Sequence, residues 1–207
     1  MQDRFRCELV SWSMSQRLAR RLALAIRDSG YHPDVIVAIA RGGFVPARIL
    51  CDYLRITNLT SIRIVHYTTG ARKAGEARLT EGLGVDVRDA RVLIADDVSD
   101  TGDTLALARR HVEDFAPAEV RIAVVHHKRG ASVQPDYYAH HVVRWRWITY
   151  PWAVLEDVSG FIEQMATRPH SAEEAARRLE QDYGMRPALS RVQDALDLLA
   201  QGSSTRN

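Results

Sequence analysis

Cysteine is nearly absent from the chain. Cys7 and Cys51 are the only two, in unrelated contexts that fit no zinc or redox spacing, so idle or buried thiols and no disulfide are expected. Long apolar runs are missing as well. No stretch approaches the roughly 20 residues that a bilayer span requires, which argues against a membrane function. The opening residues 1–6 carry charges with no apolar core or small-residue cleavage site after them, so no secretory signal is read and a cytoplasmic location is expected. An excess of one charge is lacking too. The formal net charge is only +2, and the arginines are scattered along amphipathic stretches rather than gathered in one basic block, so no nucleic-acid partner is expected. Internal repeats and low-complexity tracts are not found.

What remains is an ordinary globular composition. With 207 residues, 46% hydrophobic and 26% charged, the chain can bury a full core and suits one principal domain with an appendage. Residues 11–29 place Met14, Leu18, Leu22, Ala25 and Ile26 at helical spacing, with Gly30 as a stop. The apolar run Val35–Ala40 leads into Arg41-Gly42-Gly43 and then a helical pattern over 45–54, which reads as strand, glycine turn and helix. Strands are also expected at 62–67, 92–95 and 120–125, and a helix over 104–115 carries Leu105, Ala108, Val112 and Phe115 inward. Apolar strands alternating with helices predict an α/β fold with a doubly wound, mainly parallel sheet. Ligands of such sheets sit at the carboxyl ends of strands, where the segments after Ala40, Ala95 and Val125 all lie.

The remaining segments are less regular. Residues 68–84 contain four glycines and several charges and read as a flexible loop of about that span. An aromatic hood is expected over about 135–157. Residues 1–167 then form the principal domain, followed by a helical extension over 168–207. In that extension Ser171 and Glu174 form a capping-box pattern, Gly184 and Pro187 break the helix, and Val192, Leu196 and Leu199 mark a second one. Residues 202–207 are expected to be disordered. The extension is expected to dock on the core or to mediate self-association as a homo-oligomer.

The most informative stretch is Val92-Leu93-Ile94-Ala95-Asp96-Asp97-Val98-Ser99-Asp100-Thr101-Gly102-Asp103-Thr104. An apolar strand delivers two adjacent carboxylates, which can accept hydrogen bonds from the vicinal diol of a ribose. The hydroxyls, the glycine and the helix start that follow suit a phosphate, because backbone N–H groups and the helix dipole converge there. A bare Asp-Thr-Gly would more often be a simple helix cap. The whole string is far more specific.

That string resembles the phosphoribosyl pyrophosphate signature of type I phosphoribosyltransferases. The resemblance extends over roughly Pro33 to Asp157. It implies that Asp96 and Asp97 bind the ribose hydroxyls, that Asp97 touches Mg²⁺, and that Asp100, Thr101, Gly102, Asp103 and Thr104, with Ser99 before them, hold the 5′-phosphate. Asp103 departs from the Lys or Gly often found in relatives and is expected to point outward, away from the phosphate. Arg41, Gly42 and Gly43 resemble the family's pyrophosphate loop, with Arg41 stabilising the departing pyrophosphate. The resemblance makes Ala40–Arg41 a candidate cis peptide, which the sequence itself does not decide. Arg72, Lys73 and Arg78 stand where the mobile catalytic loop of relatives would be, without individual roles.

His127-Lys128-Arg129 and the later Trp147-Ile148 are similar to segments of 6-oxopurine enzymes. The similarity implies Lys128 as donor to the purine O6, Trp147 as stacking platform and Ile148 as a backbone reader, with Asp100 as the general acid/base at N7. Phosphoribosyl pyrophosphate and hypoxanthine, guanine or xanthine are therefore the expected substrates, in purine salvage. The other readings are a regulator of the same fold that senses phosphoribosyl pyrophosphate without turnover, and a pyrimidine enzyme. His126-His127 and His140-His141 are not read as a metal site, since neighbours on a strand point to opposite faces.

Overall fold

The computed structural model describes residues 5–67 and 76–204, with the side chains of 202–204 excepted. The chain divides into two compact units, one of residues 15–144 and one of residues 1–14 with 145–207. The larger unit is built on a six-stranded sheet. In chain order, β1 (Cys7–Leu9), α1 (Trp12–Asp28), β2 (Val35–Ala40), α2 (Phe44–Leu54), β3 (Leu59–Tyr67), β4 (Glu76–Glu81) and β5 (Arg91–Ser99) form the first half. They are followed by α3 (Asp103–Glu113), β6 (Glu119–Lys128), β7 (Tyr137–Val142), β8 (Trp147–Thr149), α4 (Val154–Glu163), α5 (Ala172–Tyr183) and α6 (Leu189–Ser204).

The sheet runs β4-β3-β2-β5-β6-β7, parallel throughout except for the β3–β4 pair. Strand alternation decides which helix covers which face. Ile36, Ala38, Leu93 and Ala95 pack with Leu22 and Ile26 of α1 and Leu50 of α2. Their neighbours Val35, Val37, Ile39, Val92 and Ile94 point the other way, onto Leu105, Ala108 and Val112 of α3. Both faces are buried, so the central strands are apolar without interruption, and the fold is the doubly wound one.

Several boundaries differ from expectation. Residues 76–81, expected in a loop, form β4: Ala77 and Leu79 alternate inward onto the α3 side of the sheet while Glu76, Arg78 and Thr80 face out. The alternation was masked by the charges around it. Residues 68–75, including Arg72 and Lys73, lie outside the described residues. Tyr137 to Val142, expected in the hood, is the edge strand β7 of the main sheet. Tyr137 and Ala139 pack into the α1 side, and Asp136 fastens the strand's start by accepting from the Ile122 amide at 2.7 Å. Strands β5 and β6 each outrun the sequence estimate and carry their polar ends, Asp96 to Ser99 and His126 to Lys128, as regular strand.

The second unit joins the two ends of the chain. Strand β1 pairs in parallel with β8, Cys7 facing Trp147 and Leu9 facing Thr149. Its core is built from Val158, Phe161 and Ile162 of α4, Leu179 of α5, Met185, and Val192 and Ala195 of α6. Ser171 and Glu174 do cap α5, with one shift from the expected box: Ser171 Oγ accepts from the Glu174 amide at 3.2 Å, while Glu174 Oε2 accepts from the amide of His170, one residue before the N-cap, at 2.8 Å. The backbone of α6 continues to Ser204, into the stretch expected to be disordered; residues 205–207 lie outside the described residues. No helix among the described residues is long and apolar enough to cross a membrane.

Candidate active site

At the carboxyl ends of β2 and β5 a cavity of about 240 Å³ opens, lined among others by Ala40, Gly42, Asp96, Asp97, Ser99, Asp100, Thr101, Gly102 and Thr104. The first wall is the turn after β2. The Ala40–Arg41 peptide is cis, and the Gly43 amide donates to the Ile39 carbonyl at 2.8 Å to start α2. This turn lies directly on β5. A Cβ at Gly42 would come within 2.4 Å of Asp97 Oδ2, so a side chain there is excluded by the carboxylate it would meet. Gly43 is buried behind the turn, while Arg41 is exposed and lies outside the cavity lining.

The second wall is the end of β5. Asp96 and Asp97 are only 8% and 9% exposed. Burial, reinforced by the neighbouring Asp97 charge, pushes the Asp96 carboxyl well above its ordinary range, against a smaller opposing effect of the Asp97 amide that it accepts at 2.9 Å. Two adjacent buried acids resist joint ionisation, and a cation or a set of hydroxyl donors would relieve them. Ser99, 1% exposed, lines the same cavity with a hydroxyl that has no hydrogen-bond partner among the described residues.

The loop into α3 forms the floor. Gly102 adopts φ 97°, a left-handed conformation, and a Cβ there would meet Ser132 Oγ at 2.6 Å. Ser132 holds the loop from outside, its amide and hydroxyl donating to the Thr101 carbonyl at 2.7 and 2.8 Å. The N-cap residue of α3, Gly102, has no side chain to offer, and only Thr101 Oγ1 accepts from the Asp103 amide, at 3.4 Å, so the helix start suits an anion. Asp103 is exposed and outside the cavity lining, and its carboxylate accepts from Thr101 Oγ1 at 2.9 Å.

Lys128 reaches this site from β6. It is 3% exposed, and its Nζ donates to Asp100 Oδ2 at 2.7 Å. Sequence reasoning gave these two residues separate tasks; the β5–β6 pairing puts the two side chains in contact. It missed His66, near the end of β3, which lines the cavity and stands 2.9 Å from Thr104 Oγ1. The signal was available: His66 closes a strand that is parallel to β2, at the end where ligands bind.

Trp147 and Ile148 lie on β8 in the smaller unit. The Trp147 indole N–H donates to Asp157 Oδ2 at 2.9 Å, and its ring meets Phe161 edge-on. Burial raises the Asp157 carboxyl above its usual range. Arg78 sits on β4 and pairs with Glu76 at 3.3 Å. The histidines meet across strands rather than along one. Members of each sequence pair alternate in facing, but the β6–β7 register sets His126 opposite His140 and His127 opposite His141. No cluster of three or more metal-ligating residues occurs among the described residues.

This geometry can be set beside known proteins. The family model for the phosphoribosyl transferase domain matches residues 8–157, most of the chain. The chain belongs to the phosphoribosyltransferase family. It is accordingly an enzyme of the pentosyl-transferring class. The phosphoribosyltransferase is 34% identical over 153 residues to the xanthine-guanine phosphoribosyltransferase of Ruegeria sp. (strain TM1040), covering 69% of this chain and 83% of that one. A purine phosphoribosyltransferase from Pyrococcus horikoshii Ot3 superimposes with a TM-score of 0.63 at 36% identity, covering 70% of this chain and 93% of that one. A Neisseria gonorrhoeae protein solved with bound ppGpp gives a TM-score of 0.64 at 26% identity, over 72% and 89% of the two chains.

Proposed function

We propose that this phosphoribosyltransferase moves the phosphoribosyl group of phosphoribosyl pyrophosphate to N9 of a 6-oxopurine, hypoxanthine, guanine or xanthine, releasing pyrophosphate. The observation that carries the reading is the Lys128–Asp100 contact at 2.7 Å. A 6-oxopurine presents O6 as an acceptor beside N7, which carries the proton in the tautomer that leaves N9 free to attack. A buried ammonium and a carboxylate held side by side match that edge: Lys128 donates to O6, and Asp100 takes the N7 proton as N9 bonds to C1′ and pyrophosphate leaves. Relatives named for purine, and for xanthine and guanine, support the same class.

The donor sugar fits the rest of the cavity. Asp96 and Asp97 accept from the ribose hydroxyls, Ser99 supplies a buried hydroxyl, and Thr101, Gly102 and Thr104 hold the 5′-phosphate at the start of α3. Gly42 brings backbone to the pyrophosphate, Gly43 lets the turn pack closely behind it, and Arg41 adds positive charge as that group departs. The hard carboxylate oxygens of Asp96 and Asp97, crowded and buried, suit Mg²⁺, with Asp97 as its ligand. Bound there, the ion would neutralise charge on the leaving pyrophosphate. Trp147 is the stacking platform and Ile148 the backbone reader in this reading.

A turnover assay with Mg²⁺, phosphoribosyl pyrophosphate and a panel of bases tests it. Adenine sets a 6-amino donor against the Lys128 donor, so the oxopurines should be consumed at least about tenfold more efficiently. Adenine as the best acceptor, or orotate or uracil as the only ones, would overturn the assignment.

A further inference from the structure

We propose that His66 is a positioning residue for the sugar 5′-phosphate: its Nε2–H donates to Thr104 Oγ1 and thereby aims that hydroxyl's hydrogen at the phosphate. The inference rests on the phosphoribosyl pyrophosphate reading above and adds a residue to it. His66 Nε2 and Thr104 Oγ1 are 2.9 Å apart, and both residues line the cavity. Thr104 belongs to the first turn of α3, whose N-cap residue is Gly102. A threonine hydroxyl has one hydrogen and two lone pairs, whereas phosphate oxygens only accept. If Thr104 spends its hydrogen on the imidazole, its oxygen turns a lone pair toward an anion. If the imidazole donates instead, the hydrogen is left for the phosphate. The Nε2–H tautomer and the imidazolium both donate, so either form sets the hydroxyl correctly. His66 stands near the end of β3 and Thr104 at the start of α3, so the contact joins two elements at the cavity.

Calorimetry on the full chain with Mg²⁺ measures this, using ribose 5-phosphate, pyrophosphate and phosphoribosyl pyrophosphate as probes. His66→Leu should weaken ribose 5-phosphate and phosphoribosyl pyrophosphate by about tenfold while leaving pyrophosphate within about twofold. In turnover it should raise KM for phosphoribosyl pyrophosphate without changing KM for the base. His66→Gln, whose amide can donate from nearly the same place, should recover most of the loss. In a Thr104→Ala background His66→Leu should add less than about twofold, since the group it orients is gone. Equal ribose 5-phosphate affinity in His66→Leu and the parent protein would overturn the inference, as would an undiminished effect in the Thr104→Ala background. A parent protein that binds none of the three probes would instead remove the functional reading and this inference with it.

Discussion

The end of β5 and the ends of α5 face the same difficulty, polar groups that regular backbone leaves unmatched, and they treat it in opposite ways. At α5 each need is met within the chain: Ser171 accepts from the Glu174 amide, Glu174 accepts from the His170 amide, and Gly184 closes the helix in a left-handed turn. At β5 the needs are left standing. Two acids are buried side by side, the Ser99 hydroxyl has no partner among the described residues, and the glycine N-cap of α3 leaves only the 3.4 Å contact of Thr101 Oγ1 with the Asp103 amide. A stability argument explains the first arrangement. The second is intelligible only if something else completes it, and local disagreement of this kind is what a binding site looks like before its ligand arrives.

Substitutions can test that contrast, beginning with the largest effect. Asp100→Asn keeps size and backbone amides but removes the exchangeable proton, so kcat should fall by about 10²–10⁴ with phosphoribosyl pyrophosphate affinity little changed. Single-turnover kinetics with calorimetry on the same protein separates the two quantities, and a loss of donor binding with intact chemistry would assign Asp100 to the sugar phosphate alone. Next is His126, on β6. Its imidazole is held down to about 4, first by burial and then by His140 and Lys128, against 6.5 when unhindered. The unfolded chain therefore takes up a proton that the folded one refuses, and stability present above about pH 6.5 is lost as pH falls toward 4. His126→Gln should flatten that acid limb by on the order of 1–3 kcal/mol, read by urea denaturation at several pH values. Superimposable limbs would mean that this imidazole is not the group responsible. The smallest effect belongs to the well-satisfied region: Ser171→Ala should lower stability by about 1 kcal/mol and leave kcat/KM of the folded protein intact. A large activity loss there would blur the distinction drawn between the two regions.

Much of this was legible before any coordinates. Val35–Ala40 and Val92–Ala95 announced buried parallel strands because both of their faces are apolar, and the acids after Ala95 were readable because the sheet topology puts strand ends at the site. Other features were hidden for physical reasons. Strand β4 buries only alternate residues of an edge, so its charges outweighed its pattern. Strand β1 is three residues long and has no partner within 100 residues of sequence, leaving no local period to detect. Tyr137 and Ala139 read as hood because aromatics cluster after them, yet their alternation belongs to the main sheet. The Lys128–Asp100 and His66–Thr104 contacts depend on which strands become neighbours, information that no single segment contains.

The pairing of β1 with β8 sets a schedule for synthesis. Leu9 leaves the ribosome early, but its register partner Thr149 follows only 140 residues later. At about 5–20 residues per second, that is a wait of roughly 7–28 s. The six strands of the larger sheet are all made during this interval, and they can pair as they emerge. Strand β1 is thus paired later than the strands of the larger sheet, although it is made before them.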